Sequence, residues 1–442
     1  MVRNFIIERI IENKFSTSEL YSRYPHPLVG SLDLWAVNKF QNLDGGAIRA
    51  IQFRKAKKII QFAYRNIPFW SDYFGRIGFN PETMESIDDL TKIPPVSREL
   101  IKQSSIEYSF IRTKDSIFDT TSGSTGIPFG FYYSRSTLLR RKSIYLRNLS
   151  WVGFSQNHQI VRIMTRDITG LSGVGNFVSC RGPEELEEKK LHIYRLLNQD
   201  ATILEGVASS IFYLAQLMEK DSVKFDIVAV VTTAERLSQG QLSFMESVFG
   251  AKTYDCYGTR EVDRIAQECL KKEGLHINSE WVYVEIVDER GNSLPFGKSG
   301  KIVITTLDNF VTPLVRYELG DRGTILPHLC SCGVSLPLIS FEGRTFEQIE
   351  LPDHTIIHAF EFSGLFNRFS DKILKYQIIQ ESIDRISVLI IPKYEFTLAD
   401  QQMVKNVFEN KTKHLMYVTV TVTNQVYSLP SGKTSVFINK LR

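Results

Sequence analysis

Asp119-Thr120-Thr121-Ser122-Gly123-Ser124-Thr125-Gly126-Ile127-Pro128 is the stretch on which the reading of this chain turns. From Thr121 to Gly126 it carries four hydroxyls and two glycines. The proline that follows can neither extend a helix nor fill a central strand, so the stretch reads as a loop. Gly123 and Gly126 can take positive φ and leave room for close approach. Backbone N–H groups can then converge with the hydroxyls of Thr121, Ser122, Ser124 and Thr125 on a triphosphate. The Gly-Lys-[Ser/Thr] ending of a Walker loop is missing. The same composition suits an ordinary surface loop, so the string alone leaves both readings open.

Outward from this loop, strands alternate with helices. Residues 130–133 read as a strand, 138–149 as a long arginine-rich helix, and the apolar runs 160–164 and 227–232 as strands with helical stretches between them. This alternation argues for a mostly parallel sheet covered on both faces, which binds ligands at the carboxyl ends of its strands. Residues 278–306 differ. Alternation over 282–287 and a turn at 288–292 suggest half-buried antiparallel pairing. Upstream, residues 46–66 place Ile51, Ala56, Ile59, Ile60 and Ala63 on one helical face, ended by Ile67-Pro68. Residues 87–98 read as a turn with an N-cap before a short helix.

The expected fold is therefore α/β. A large N-terminal domain, 1–343, has mostly parallel sheets covered by helices plus an antiparallel β subdomain; a small mobile C-terminal α/β domain, 344–442, follows. In the latter, strands are expected near 376–380, 386–391 and 417–422, with helices near 360–368 and 397–410.

A chain of 442 residues exceeds the size at which one core keeps growing, which supports more than one domain. With 43% hydrophobic and 23% charged residues, the composition is globular and excludes general disorder. A net charge of +4 gives no argument for a nucleic-acid partner. Five scattered cysteines argue against a disulfide framework and for a reducing, cytoplasmic home. No run approaches the roughly 20 apolar residues of a membrane span. Residues 1–15 read as an amphipathic helix of mixed charge, better suited to packing on the domain than to a membrane surface.

The string Thr-Ser-Gly-Ser-Thr-Gly-x-Pro resembles the phosphate loop of the AMP-forming adenylating enzymes, the superfamily of acyl-CoA synthetases and peptide-synthetase adenylation domains. Asn66-Ile67-Pro68-Phe69-Trp70, followed by Asp89-Leu90-Thr91-Lys92-Ile93-Pro94 with Ser97-Arg98, resembles the phenylacetate-CoA ligase branch. That branch includes capsule and surface-polysaccharide relatives, and the similarity covers most of the chain.

The resemblance implies roles for further residues. Tyr257-Gly258-Thr259-Arg260-Glu261 is similar to the superfamily's Tyr-Gly-x-[Ser/Thr]-Glu, in which the ring stacks on adenine, the hydroxyl touches the α-phosphate and the glutamate holds Mg2+. Arg260 departs from that pattern. It could bind a phosphate oxygen itself, or turn away and leave the contact to Thr259. Pro313 to Asp321 resembles the ribose-binding motif, with Asp321 accepting the ribose hydroxyls. Ala234-Glu235 stands at a strand end where relatives use Gly-Glu to line the adenine pocket, and Asp255 lies in the adenine-binding string. Gly343-Arg344 resembles the interdomain hinge, without its usual acidic continuation. Ser431-Gly432-Lys433 resembles the C-terminal element whose lysine bridges carboxylate and α-phosphate.

The implied catalytic residues are Lys433, Thr125, Glu261 and Arg260. The implied nucleotide-binding residues are Thr121, Ser122, Gly123, Ser124, Thr125, Gly126, Ala234, Glu235, Asp255, Tyr257, Gly258, Thr259, Asp321 and Arg344. Glu261 is the implied Mg2+ ligand.

Cys269, His276, Cys330 and Cys332 combine thiolates and an imidazole of the kind tetrahedral Zn2+ selects. Their spacing equally suits reduced buried thiols. Neighbouring strings resemble a subset of the branch that carries a structural zinc, with His328 in reach as a spare ligand. The resemblance implies ATP and Mg2+, with a small carboxylic acid activated to an acyl-adenylate and passed to coenzyme A or to an amine. A homodimer stays open. The alternative is a catalytically degenerate relative that binds nucleotide and regulates or scaffolds. Phe131, Tyr132, Tyr133 and Trp151 suit either an acyl pocket or core. Arg140, Arg141, Lys142 and Arg147 suit either an acidic substrate or a solvated helix face.

Overall fold

The computed structural model describes residues 26–121, 129–166, 171, 174–344, 348–358, 362, 366, 369, 372–427 and 436–441; of 26–30, 344, 348 and 358 only the backbone is described. These residues belong to two compact units. One is drawn from Met1–Ser155, Ile168–Gly173 and Tyr254–Phe341, the other from Gln156–Asp167, Val174–Thr253 and Glu342–Arg442. Among the described residues no helix is long and apolar enough to cross a membrane. The amphipathic stretch 1–15 and most of the expected helix 360–368 lie outside the described residues.

In the first unit the helix Gly45–Asn66 starts where the Asp44 side chain accepts the Ala47 N–H at 3.0 Å. It buries Ile48, Ile51, Ala56, Ile59, Ile60 and Ala63, the spacing of one helical face. Each isoleucine contributes about 2 kcal/mol of transfer free energy. Pro68 opens a second helix, Pro68–Arg76, whose Phe69, Trp70, Tyr73 and Phe74 enter the same core. Trp70 Nε1 donates to the Pro313 carbonyl at 3.2 Å, which satisfies the buried indole. Phe131, Tyr132 and Tyr133 belong to this core as well.

An antiparallel sheet backs these helices. Val282–Val287 pairs with Gly300–Thr306, and the latter with Tyr317–Ile325. Further along the sheet, Leu338–Arg344 pairs with Leu275–Ile277, which pairs with Asp263–Glu268 and thence with Thr253–Thr259. The turn after Val287 is held by Asp288, whose Oδ1 accepts the Arg290 and Asn292 N–H groups, each at 2.8 Å. A separate hairpin pairs Ile117–Thr120 with Gly130–Tyr133. Beyond it, Thr121 N donates to Phe129 O, and Phe129 N to Thr121 Oγ1, both at 3.0 Å.

On the arginine-rich helix Arg135–Ser150 the arginines do not form a solvated face. Arg140, Arg141 and Arg147 are buried and paired with acids from distant parts of the sequence. Arg140 meets Asp33 at 2.8 Å and Asp308 at 3.4 Å, Arg141 meets Asp263, and Arg147 meets Glu280 at 2.6 Å. Lys55 joins this group through the Glu280 carbonyl at 2.7 Å, and burial pulls its ammonium down to about 8. The positive charges are taken up by buried carboxylates; a buried charge persists only with such partners.

In the second unit four strands form a parallel sheet in the order Ile227–Thr233, Thr202–Val207, Gln159–Met164, Asn176–Ser179. The helices Pro183–Leu197, Ala208–Lys220 and Gln239–Phe249 pack on it through Leu186, Ile193, Ile211, Leu214 and Met245. The same unit holds a four-stranded mixed sheet, ordered Tyr417–Val422, Arg385–Pro392, Ile373–Ser382, Phe437–Asn439. The helix Leu398–Lys411 belongs with it and is capped by Thr397 and Asp400.

Candidate active site

The strand Thr253–Thr259 turns back through residues 260–262 into Asp263–Glu268, with a bulge between Tyr257 and Gly258. The bulge requires glycine: a Cβ on Gly258 would lie 2.1 Å from the Asp263 carbonyl oxygen. Two residues drawn from separate strings meet on this strand. Tyr257 Oη donates to Asp321 Oδ2 at 2.8 Å, and both residues are buried. Phe341 stacks on the Tyr257 ring at 4.8 Å between centroids and 24°. Sequence reasoning missed Phe341; its place three residues before Arg344 in the same string was the available signal.

Glu261 is 2% exposed. Its Oε1 accepts from Arg98 Nη2 at 2.6 Å and from Tyr317 Oη at 3.0 Å, and Arg98 Nε donates to the same Tyr317 oxygen at 2.8 Å. Local structure delivers Arg98 to this place. Val96 bridges to the sheet through Val96 N to Arg316 O at 2.8 Å and Glu318 N to Val96 O at 2.9 Å, and Ser97 caps the short helix Arg98–Lys102. Burial works against the Arg98 charge, but the adjacent Glu261 carboxylate and Tyr317 outweigh it and hold the guanidinium protonated. Burial, then the Glu261 charge, pushes the Tyr317 phenol well up. Neither Arg98 nor Tyr317 had been singled out from sequence.

Arg260 reaches the root of the hairpin. Its Nη2 lies 3.0 Å from Asp119 Oδ2 and 3.3 Å from Oδ1, and its carbonyl accepts from Tyr133 Oη at 2.5 Å. Thr259 Oγ1 is buried and has no hydrogen-bond partner among the described residues. A buried hydroxyl in a folded protein calls for a partner, and the described residues supply none.

The other sequence-derived residues sit on several elements. Ala234 holds φ +72°, the left-handed region that favours glycine. Glu235 accepts the Ser209 N–H at 2.9 Å, near the start of the helix Ala208–Lys220. Asp255 N donates to Glu268 Oε2 at 2.8 Å. Thr121 closes the hairpin as described, and Arg344 ends the strand Leu338–Arg344. Ser122, Gly123, Ser124, Thr125, Gly126 and Lys433 lie outside the described residues.

Cys269, His276, Cys330 and Cys332 converge, with their ligating atoms all within 4.8 Å of one another. Cys269 Sγ lies 3.6 Å from Cys330 Sγ, and Cys332 Sγ lies 3.3 Å from His276 Nε2. The edges of a tetrahedron with zinc–sulfur and zinc–nitrogen bond lengths are about 3.8 and 3.6 Å, close to these two distances. His276 Nδ1 sits 3.4 Å from the Leu336 carbonyl, which leaves Nε2 facing the thiols. Backbone N–H groups of Lys271 and Val334 point at Cys269 and Cys332 sulfur, both at 3.4 Å. Burial raises the Cys269 thiol and pushes Cys330 up to about 12. His328 is exposed and outside the cluster.

Residues 349–440 match the model of the CapK C-terminal domain. The chain is 23% identical over 309 residues to the phenylacetate-coenzyme A ligase of Thermus thermophilus, covering 67% of this chain and 69% of that protein. It is 19% identical over 422 residues to protein CapK of Staphylococcus aureus, covering 89% of each. The solved 2-hydroxyisobutyryl-CoA ligase, in its postadenylation state with 2-HIB-AMP, shares the fold with a TM-score of 0.74 at 17% identity, over 91% of this chain and 92% of that one. The chain has the fold of the adenylate-forming ligases. In sequence it is similar to phenylacetate-CoA ligases and to CapK.

Proposed function

We propose that this protein activates a carboxylic acid with ATP, releasing pyrophosphate and forming an acyl-adenylate, and then transfers the acyl group to coenzyme A. The observation that carries this reading is the grouping around one strand and its following turn: the Tyr257 ring with Asp321, the orphan hydroxyl of Thr259, and the buried Glu261 carboxylate. These are an aromatic face, a paired acceptor, a lone donor and a hard oxygen ligand, which suit the base, ribose, phosphate and metal of a nucleotide. The ligase relatives support the same class of reaction.

In this reading the substrate carboxylate attacks the α-phosphorus in line, so the protein's task is positioning and charge neutralisation. Mg2+ would neutralise the phosphates, held by Glu261 and by nucleotide oxygens; a magnesium site of this kind needs only one or two carboxylates from the protein. Tyr257 would carry the adenine and Asp321 the ribose. The 122–126 loop would cradle the β- and γ-phosphates, and Lys433 would meet the charge developing at the carboxylate. A small domain beginning near residue 344 would rotate between adenylation and thioester formation. An amine acceptor is the second reading of that last step, by analogy to the surface-polysaccharide relatives.

The Cys269, His276, Cys330 and Cys332 cluster would hold a structural Zn2+. Its spacing fits, and its placement among Phe40, Ile48, Ile51, Trp151, Leu336 and Leu338 suits a closed site with no coordination position open to substrate. Free thiols at all five cysteines agree with a reducing compartment. The overall proposal is tested by ATP–pyrophosphate exchange over a panel of carboxylic acids, followed by addition of coenzyme A. Acid-dependent exchange is expected. Nucleotide binding without exchange for any acid would favour the non-catalytic alternative, to which the Arg98 claim on Glu261 lends weight.

A further inference from the structure

Glu261 gives only one of its oxygens to the chain. Oε1 accepts from Arg98 Nη2 at 2.6 Å and from Tyr317 Oη at 3.0 Å, whereas Oε2 takes part in no hydrogen bond among the described residues. Arg98 is left in the complementary state. Its Nε and Nη2 are taken by Tyr317 and Glu261, and Nη1 has no hydrogen-bond partner among the described residues, on a side chain that is 29% exposed. From this pairing of an open acceptor with an open donor we infer that Arg98 is a further nucleotide-binding residue. With Glu261 it forms a two-pronged seat for a Mg2+–polyphosphate chelate, Oε2 taking the metal and Nη1 donating to an oxygen of the outer phosphates. The inference rests on the nucleotide-binding reading above and adds a residue to it.

The pair is held in place from several sides. Arg98 opens the short helix Arg98–Lys102, where Ser97 Oγ accepts the Leu100 N–H at 3.1 Å, and Val96 bridges to Tyr317 at the start of the strand Tyr317–Ile325. The bond from Arg98 Nε to Tyr317 Oη, at 2.8 Å, closes a triangle with Glu261 and fixes the plane of the guanidinium. The Phe129 ring centroid lies 5.9 Å from the guanidinium carbon, and the same ring stacks on Tyr317 at 6.2 Å and 18°. Phe129 is also bonded to Thr121 in both directions, at the ends of the stretch 122–128. Arg98 therefore stands at the root of the candidate phosphate loop and in contact with the candidate metal ligand.

A guanidinium suits the second prong, because its rigid fork can give one N–H to a carboxylate and another to a phosphate at the same time. Arg260 is the rival cation. Its guanidinium meets both Asp119 oxygens, at 3.0 and 3.3 Å, and it makes no hydrogen bond to Glu261. The direct contact with Glu261 singles out Arg98.

The probes are α,β-methylene-ATP, which cannot release pyrophosphate, and AMP, which lacks the outer phosphates. Their dissociation constants are measured by titration calorimetry, with Mg2+ and with chelator in its place, for the unaltered chain and for Arg98→Met, Arg98→Lys, Glu261→Gln and Arg260→Met. One hydrogen bond to a charged group corresponds to about a tenfold or greater change in affinity. Arg98→Met should therefore weaken α,β-methylene-ATP about tenfold or more in both conditions, because its N–H needs no metal, and should leave AMP binding unchanged. Arg98→Lys keeps the charge but loses the fork, so it should recover part of the loss; if Arg98→Met does not fold, a several-fold loss in Arg98→Lys carries the same reading and no loss overturns it. Glu261→Gln should remove the gain that Mg2+ gives and leave binding in chelator no weaker. Normal binding by Arg98→Met in chelator, with only the Mg2+ gain lost, would overturn the inference and make Arg98 a buttress of Glu261. An equal loss for AMP, or a loss found in Arg260→Met and not in Arg98→Met, would overturn it as well. If the unaltered chain binds neither probe, the nucleotide-binding reading falls and this inference falls with it; if it binds them and Arg98→Met binds them equally well, only this inference falls.

Discussion

Replacing Glu261 with glutamine separates a structural from a chemical role for this carboxylate. Glutamine keeps the shape and one oxygen to accept from Arg98 and Tyr317, now 2.6 and 3.0 Å away, but removes the charge. A hydrogen bond to a charged group contributes about 1.5–3 kcal/mol and a neutral one about 1 kcal/mol, so each contact weakens by about 1 kcal/mol. The Arg98 share is smaller because that side chain is 29% exposed and solvent screens the pair. Relief of the buried carboxylate's desolvation works in the opposite direction. The two effects leave a net stability change within about 2 kcal/mol, a shift below about 8 °C in melting. If Glu261 holds Mg2+ beside the phosphates, as proposed, loss of its charge costs much more in rate, about 100-fold to 1000-fold. The expected outcome is a folded variant whose ATP–pyrophosphate exchange falls at least about 100-fold. Full exchange by Glu261→Gln would refute the metal-ligand assignment. Unfolding of the variant would instead show that the Arg98–Glu261–Tyr317 contacts matter mainly for stability.

Three further outcomes follow from the geometry. Protein purified without chelator should carry about one zinc per chain, and Cys332→Ser should lower the melting temperature more than the exchange activity; absence of zinc by metal analysis would exclude the site. Lys55 has a folded pKa near 8 against an unfolded value near 10.4, so between those values the unfolded chain binds the extra proton and stability contributed by this residue rises with pH. Comparing denaturant unfolding of the natural chain and Lys55→Met from pH 7.5 to 10.5, the stability difference should move by up to about 3 kcal/mol in favour of lysine as pH rises, and a flat difference would contradict the buried-ammonium picture. Ala234→Gly relieves a left-handed backbone at φ +72° and should stabilise by about 0.5–1 kcal/mol, since the strain removed exceeds the added chain entropy; destabilisation in equilibrium unfolding would refute that account.

Much of the fold could be read from the sequence because its signals are local. The face of Gly45–Asn66 follows from helical spacing, the pairing of Val282–Val287 from alternation and the turn at 288–292, and the parallel strands Gln159–Met164 and Ile227–Thr233 from short apolar runs between helices. Tyr257, Glu261 and Asp321 could be picked out because their chemistry sits in contiguous strings. What escaped depends on partners far away in the chain. Arg98 reaches Glu261 only because Val96 bridges to the strand Tyr317–Ile325, and Asp119 becomes informative only once Arg260 is seen against it. The arginines of Arg135–Ser150 looked solvated for the same reason: Asp33, Asp263, Glu280 and Asp308, which neutralise them, come from four separate places in the sequence.

The most direct test of the central claim is acid-dependent exchange of labelled pyrophosphate into ATP, with Mg2+ present and coenzyme A absent. The panel should span arylacetates, benzoates, short hydroxy acids and sugar acids. At least one acid should drive exchange well above the acid-free rate, with AMP accumulating once coenzyme A is added. A protein that binds ATP yet exchanges no pyrophosphate with any acid would contradict carboxylate activation and leave a nucleotide-binding protein in its place.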